Sequence, residues 1–245
     1  MYPRLIGCLL AVTAVTGWAL PIALASSATA APCPDVDVVF ARGTTEAPGV
    51  GATGDAFVDA LRPRLGGRSL DVYAVNYPAT TDFATGYQGL YDEKAHIESE
   101  AANCPKTQVV LGGFSQGAAI AGFATSSEIP AGVDPADVPK PLTPDAANHV
   151  AAVTLFGTPS NKFMDQINQP HVLIGPAFAA KTLEICAPGD PVCADGGDWA
   201  AHTGYAVNGT VNQAADFAVS HLRPQPAGPP APPPPGAPDR GPVPA

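Results

Sequence analysis

Ser115, Asp190 and His202 are side chains whose types and chain order would suit nucleophilic acyl transfer. A serine hydroxyl is a weak nucleophile until a histidine takes its proton, and the histidine needs a carboxylate to fix its tautomer and balance its charge. Ser115 stands in Gly113-Phe114-Ser115-Gln116-Gly117, a Gly-x-Ser-x-Gly run with an apolar strand pattern before it and an alanine-rich helical pattern after it. Such a serine occupies a sharp strand-to-helix elbow, where a side chain at either glycine would collide with a neighbouring element. The backbone N–H of Gln116, at the positive end of the following helix, would face an oxygen gaining negative charge.

The acid is read from Cys186-Ala187-Pro188-Gly189-Asp190-Pro191-Val192-Cys193, which begins where an apolar strand ends. Closing the two cysteines pinches this loop, and Pro191 biases Asp190 toward extended backbone. Asp195 and Asp198 are rivals in a glycine-rich stretch with less to hold them, and they read as surface residues. For the base, His202 lies among small residues in a segment expected to be a loop, whereas His221 ends an amphipathic helix and suits its terminal carbonyls. His96, His149 and His171 read as solvated or structural. A second oxyanion donor should follow the first strand, and there the chain reads Ala41-Arg42-Gly43-Thr44-Thr45-Glu46. Thr44 could offer its N–H and its hydroxyl, with Arg42 bracing the loop against Glu46 or another acid.

The elements that must position these residues are legible as alternating patterns. Apolar, valine-rich runs at 36–41, 70–77, 107–112, 150–156 and 182–186 read as buried parallel strands. Helical patterns at 55–65, 90–103, 117–126 and 211–222 separate or follow them. This alternation predicts one α/β domain over 31–222: a three-layer α/β/α sandwich around a central, mainly parallel five-stranded sheet. The proline-containing stretch 127–149 reads as an irregular connection, either a partial cover for the site or a surface excursion, with the excursion preferred.

Both ends of the chain read as something other than domain. Residues 1–30 carry one charge, Arg4, then an apolar run, Pro21 and a closing Ala28-Thr29-Ala30, the pattern of a secretory signal peptide. Residues 223–245 hold 11 of the 29 prolines and read as an extended tail, with a wall-spanning spacer and a plain disordered terminus both open. The expected location is therefore outside the cell, with retention in the envelope as an option. Cleavage would remove Cys8 and leave Cys33, Cys104, Cys186 and Cys193, an even set suited to disulfides in an oxidising compartment. Of the three possible pairings, chain economy favours Cys33 with Cys104 and Cys186 with Cys193. No CxxC pair exists and the spacing does not resemble a zinc ribbon, so no metal is expected.

Removing Arg4 would leave 11 basic and 22 acidic residues, which argues against a nucleic-acid partner. Contact with lipid or cell wall would then depend on apolar surface, and the expected state is a monomer acting on an ester or lipid substrate without a cofactor. Gly49-Val50-Gly51-Ala52-Thr53-Gly54 matches a dinucleotide fingerprint by letters, but it lies too far beyond the first strand for the required tight turn.

Together ARGTTE, GFSQG, CAPGDPVC and AHTGY, in this order between Cys33 and Leu222, resemble the cutinases, especially bacterial cutinase-like envelope esterases. The resemblance implies a secreted serine esterase of the α/β-hydrolase type without a large lid. It implies Ser115 as nucleophile, Asp190 as acid, His202 as base, Thr44 and Gln116 as the oxyanion hole, and the same disulfide pairing. Where the family often has serine, this chain has Thr44. Apolar rims for an acyl chain are expected from Pro78, Phe83, Tyr87 and Leu90 and from the loop 174–178. The alternative is a noncatalytic envelope or adhesion module on the same fold.

Overall fold

The computed structural model describes residues 32–130 and 133–224. The signal-peptide expectation for 1–30 and nearly all of the proline-rich tail lie outside these residues. The strands are β1 (Val36–Ala41), β2 (Leu70–Ala74), β3 (Gln108–Phe114), β4 (Val150–Phe156) and β5 (Thr182–Ile185). They form one five-stranded sheet in the order β2-β1-β3-β4-β5, and each pairing is parallel. β1, β3 and β4 are buried along their whole length, which is why they read as continuous apolar runs instead of alternating ones.

The larger helices are α1 (Gly51–Leu61), α2 (Gly86–Asn103), α3 (Gln116–Thr125) and α8 (Thr210–His221). On one face, α1 and α8 pack with Val36, Val38, Phe40, Val110 and Phe156. On the other, Leu90 and Ile97 of α2 and Ile120 of α3 pack with Val39, Leu111, Val153 and Leu155. These are the three layers expected from the alternation of strand and helix. The sheet order reverses direction between β1 and β3, and the carboxyl ends of adjacent strands at such a reversal border a crevice. Thr44 follows β1 and Ser115 follows β3, so both stand at that crevice.

Shorter helices fill the connections: α4 (Pro144–His149), α5 (Asn161–Gln166), α6 (Pro176–Ala179) and α7 (Trp199–Thr203). The region read as irregular thus ends in a helix, and its start signal is ordinary: Thr143 Oγ1 accepts the Ala146 N–H at 3.3 Å, with Pro144 next in the first turn. β2 stops at Ala74 instead of continuing to Tyr77, and α2 begins at Gly86 instead of Leu90. The early start includes Gly89, where a Cβ would sit about 3 Å from Tyr77 and Ile120, so a poor helix former is there for close approach.

Both disulfides take the expected pairing, Cys33–Cys104 and Cys186–Cys193. The first ties the segment before β1 to the end of α2, and the second closes the loop after β5. Among the described residues, no helix is long and apolar enough to cross a membrane.

Candidate active site

Ser115 sits between the last residue of β3 and the first of α3 with φ 55° and ψ −115°, a backbone conformation that L-residues rarely hold. The surrounding packing enforces it. The Ser115 N–H donates to the Phe156 carbonyl at 2.9 Å. A Cβ on Gly113 would overlap the Gly117 carbonyl, and one on Gly117 would overlap the Ala41 carbonyl, so neither glycine of the pentapeptide can carry a side chain here.

Ser115, His202 and Asp190 form a continuous line of hydrogen bonds. His202 Nε2 lies 2.9 Å from Ser115 Oγ, and His202 Nδ1 lies 3.0 and 2.9 Å from Asp190 Oδ1 and Oδ2. Asp190 is fully buried and His202 nearly so. Burial alone would raise the Asp190 pKa, but hydrogen bonds from Tyr205, His202 and the Val192 N–H outweigh it and hold the carboxyl below its usual value. His202 is carried on α7, where a loop was expected. The helix is short, and its cap is Asp198, whose side chain accepts the Ala200 N–H at 2.9 Å. A glycine-rich lead-in masked the helix start in the sequence.

The other candidates separate from this line. Asp195 bonds Lys162 at 2.6 Å on the surface, while Asp198 works as a cap. His221 makes hydrogen bonds to the Phe217 and Ala180 carbonyls at the end of α8, as its position suggested. His149 contacts the Asp145 and Pro105 carbonyls, and His171 pairs with Asp165. His96 lies 2.7 Å from Asp37 and stacks on Tyr73, with Glu100 close by, on strand and helix residues outside the Ser115 cavity.

Thr44 lines the same cavity as Ser115, Gln116 and His202, and its hydroxyl donates to Gln116 Oε1 at 3.3 Å. That bond fastens the loop after β1 to the start of α3. Glu46 stabilises the same loop: its carboxylate accepts the Gly43 N–H at 2.6 Å and the Ala52 N–H at 2.9 Å. This carboxylate therefore occupies the helix start that the dinucleotide-like glycine run seemed to offer. Arg42 braces the loop as expected, but through carbonyls instead of a carboxylate: it donates to Tyr77 at 2.6 Å and to the Glu46 main chain at 2.9 Å.

The sequence reading missed Tyr205. Its ring is fully buried and its hydroxyl donates to Asp190 Oδ2 at 2.6 Å. The only signal was its position three residues after His202, which does not distinguish it from a core aromatic.

Beside Ser115 lies a cavity of about 400 Å³, a size suited to a small organic ligand. Phe83, Tyr87 and Leu90 line it as expected, but Pro78 and the 174–178 loop do not. The opposite wall comes from Phe163, Met164 and Ile167 in and after α5, a segment that carried no distinctive pattern. No described residue of 127–149 lines this cavity, in keeping with the surface excursion. Trp199, 59% exposed, stands at the rim with its ring edge-on to His202.

The family model for Cutinase matches residues 32–222. Over 166 residues, the chain is 58% identical to "Probable carboxylesterase Culp5" of Mycobacterium tuberculosis, covering 68% of this chain and 95% of that one. Over 227 residues it is 44% identical to "Carboxylesterase Culp1" of Mycobacterium bovis, covering 91% and 98%. Among solved structures, the catalytic core domain of acetyl xylan esterase from Trichoderma reesei superposes with a TM-score of 0.64 at 28% identity, covering 78% of this chain and all of that one. A Trichoderma reesei cutinase in complex with a phosphonate inhibitor gives a TM-score of 0.57 at 34% identity, covering 78% of each chain. With a match that spans all five strands and every residue of the Ser115–His202–Asp190 line, the chain belongs to the cutinase family of carboxylic ester hydrolases.

Proposed function

We propose that the chain hydrolyses carboxylic esters through an acyl-enzyme on Ser115, with His202 as general base and acid, Asp190 as its orienting carboxylate, and the Thr44 and Gln116 N–H groups as oxyanion donors. The observation that carries this reading is the unbroken relay from Ser115 Oγ through His202 to buried Asp190. His202 Nε2 takes the hydroxyl proton as Oγ bonds to the ester carbon, and the carbonyl electrons move onto an oxyanion held by the two N–H groups. Collapse breaks the bond to the alcohol oxygen, which leaves with the proton from His202. Water, deprotonated by the same nitrogen, then attacks the acyl-enzyme, and the acid departs as Ser115 regains its proton.

The cavity supports a substrate class. Its walls are mostly apolar and carry no Lys, Arg, Asp or Glu, which favours short- to medium-chain fatty acyl groups or a polyester segment over a charged acid. Relatives bear both carboxylesterase and phospholipase names, the latter "Phospholipase Culp4" of Mycobacterium tuberculosis at 42% identity over 219 residues. We further propose export after removal of residues 1–30, with the proline-rich 223–245 as a spacer that would allow retention in the envelope.

The decisive assay is hydrolysis of p-nitrophenyl butyrate by wild type and Ser115→Ala, with an expected loss of about a million-fold in kcat. Equal rates would overturn the nucleophile assignment. A chain-length series of esters run beside a phospholipid then ranks the substrate classes.

A further inference from the structure

The Asp190 carboxylate is fully enclosed, and each of its oxygens has one fixed donor besides His202. Oδ1 accepts the Val192 N–H at 2.7 Å, and Oδ2 accepts the Tyr205 hydroxyl at 2.6 Å. His202 Nδ1 lies almost equally far from the two oxygens, at 3.0 and 2.9 Å. With both oxygens pinned, the carboxylate plane has no freedom to turn, and the imidazole finds a defined edge between them. The Tyr205 oxygen is itself held: it accepts the Ala187 N–H at 2.9 Å and lies 3.4 Å from Cys193 Sγ, so it touches both ends of the acid loop. Its ring is wedged beside Phe114 and Phe156, the last residues of β3 and β4.

We infer that Tyr205 is a positioning residue of the ester-hydrolysing site, its hydroxyl fixing the plane and charge distribution of the Asp190 carboxylate and, through it, the ring of His202. The inference rests on the Ser115–His202–Asp190 reading and adds a fourth side chain to it. Burial and the adjacent carboxylate hold the Tyr205 phenol above its usual pKa, so it stays a donor over the working range. The titratable groups facing Asp190 are His202 from α7 and Tyr205 from the turn after it; Gly157 closes the third side, and the nearby cysteines are tied in their disulfide. Donation from the phenol draws charge out of Oδ2. Without it, Asp190 becomes a stronger base and loses one of the two bonds that fix its plane, two effects with separate readouts.

The experiment is Tyr205→Phe in the full chain. Loss of orientation should lower kcat for p-nitrophenyl butyrate about tenfold with KM unchanged. The stronger carboxylate should move the acid limb of kcat/KM, which reports the coupled pair, upward by about half to one pH unit. It should also shift the low-field proton resonance of the Nδ1–H bond between His202 and Asp190. Site-specific 3-fluorotyrosine at 205, a stronger donor of nearly the same shape, should move the limb the opposite way with kcat near wild type. A lower melting temperature with unchanged kcat, acid limb and proton resonance would reduce Tyr205 to a packing residue and overturn the inference. Should Tyr205→Phe not fold, an unmoved acid limb in the fluorotyrosine protein would overturn it equally. The proton resonance reads the Tyr205–Asp190 coupling whether or not esters are cleaved, so failure of the Ser115→Ala test remains distinct from failure here.

Discussion

The Asp198 N–H donates to the Gly189 carbonyl at 3.0 Å, joining the residue that caps the His202 helix to the residue just before Asp190. The segments that carry Asp190 and His202 are thus braced against each other by main chain as well as by the hydrogen bonds between the two side chains. Gly196 lies so close beneath that a Cβ there would overlap Gly189. The two loops form one packed unit at the end of β5.

That brace makes Asp198 a test of how firmly the base is held. Asp198→Ala removes the cap on α7 and should cost about 1 kcal/mol of stability. It should lower kcat several-fold while leaving KM near wild type, and Asp198→Asn should restore most of both. Steady-state kinetics with thermal melts of the two variants provide the check; a fully active alanine variant would show that α7 needs no cap.

Opening the second disulfide should act on Asp190. The Cys186→Ser/Cys193→Ser double variant frees the acid loop, with an expected loss of about 2 to 3 kcal/mol from the unfolded-state constraint. Turnover should fall by at least tenfold, since a misplaced carboxylate no longer orients His202. Undiminished kcat in protein whose two sulfurs are absent would break the link between loop closure and catalysis.

Glu93 should give stability a pH dependence of its own. It is buried in α2 and both carboxylate oxygens are without a hydrogen-bond partner. Burial pushes its pKa well above the usual range, against the opposing pull of Lys94. A carboxyl raised in the folded state keeps a proton that the unfolded chain releases. Its contribution is therefore complete below the ordinary value of about 4.3 and is lost as pH rises toward the folded one. Lys94, lowered to about 8 by burial, stays charged through the lower part of that window. Melting curves between about pH 5 and 7 should show Glu93→Gln gaining on wild type as pH increases. Parallel curves would mean Glu93 titrates normally.

The far wall of the cavity should set acyl length. Ile167→Trp fills space beside Phe163 and Met164 without touching the relay. Each methylene that no longer finds apolar cover forfeits about 0.8 kcal/mol. Decanoyl esters should lose about tenfold or more in kcat/KM while butyryl esters keep most of theirs. If both lengths respond alike, the acyl chain lies elsewhere.

The local geometry around Ser115 and Asp190 was legible in the sequence because it imposes constraints on neighbouring residues. GFSQG announces an elbow since both glycines face carbonyls, and CAPGDPVC announces a held acid because its cysteines close on each other. The strands were legible because burial on both faces leaves unbroken apolar runs. Tyr205, Asp198 and α5 were not. Tyr205 looks like any core aromatic until its hydroxyl is found on Asp190, and Asp198 looks like any exposed acid until a helix starts beside it. The substrate wall depends on which connection folds back over Ser115, and neither period nor composition encodes that. The bond from the Thr44 hydroxyl to the Gln116 side chain was not legible either, since it depends on the loop after β1 lying against the start of α3.

Much of the cavity wall comes from the segment between β2 and β3 that includes the start of α2, from α3, and from the connection β4–β5, whereas Ser115, Asp190 and Thr44 hang from the ends of β3, β5 and β1. Under the proposed reading, the reacting groups and much of the acyl wall therefore rest on different stretches of chain. Drift in the residues near 83–90 and 159–170 can exchange one ester for another while the sheet and its strand ends stay fixed. A lineage built this way diversifies by rewriting its connections, and closely related copies can share one reaction while dividing many substrates among them.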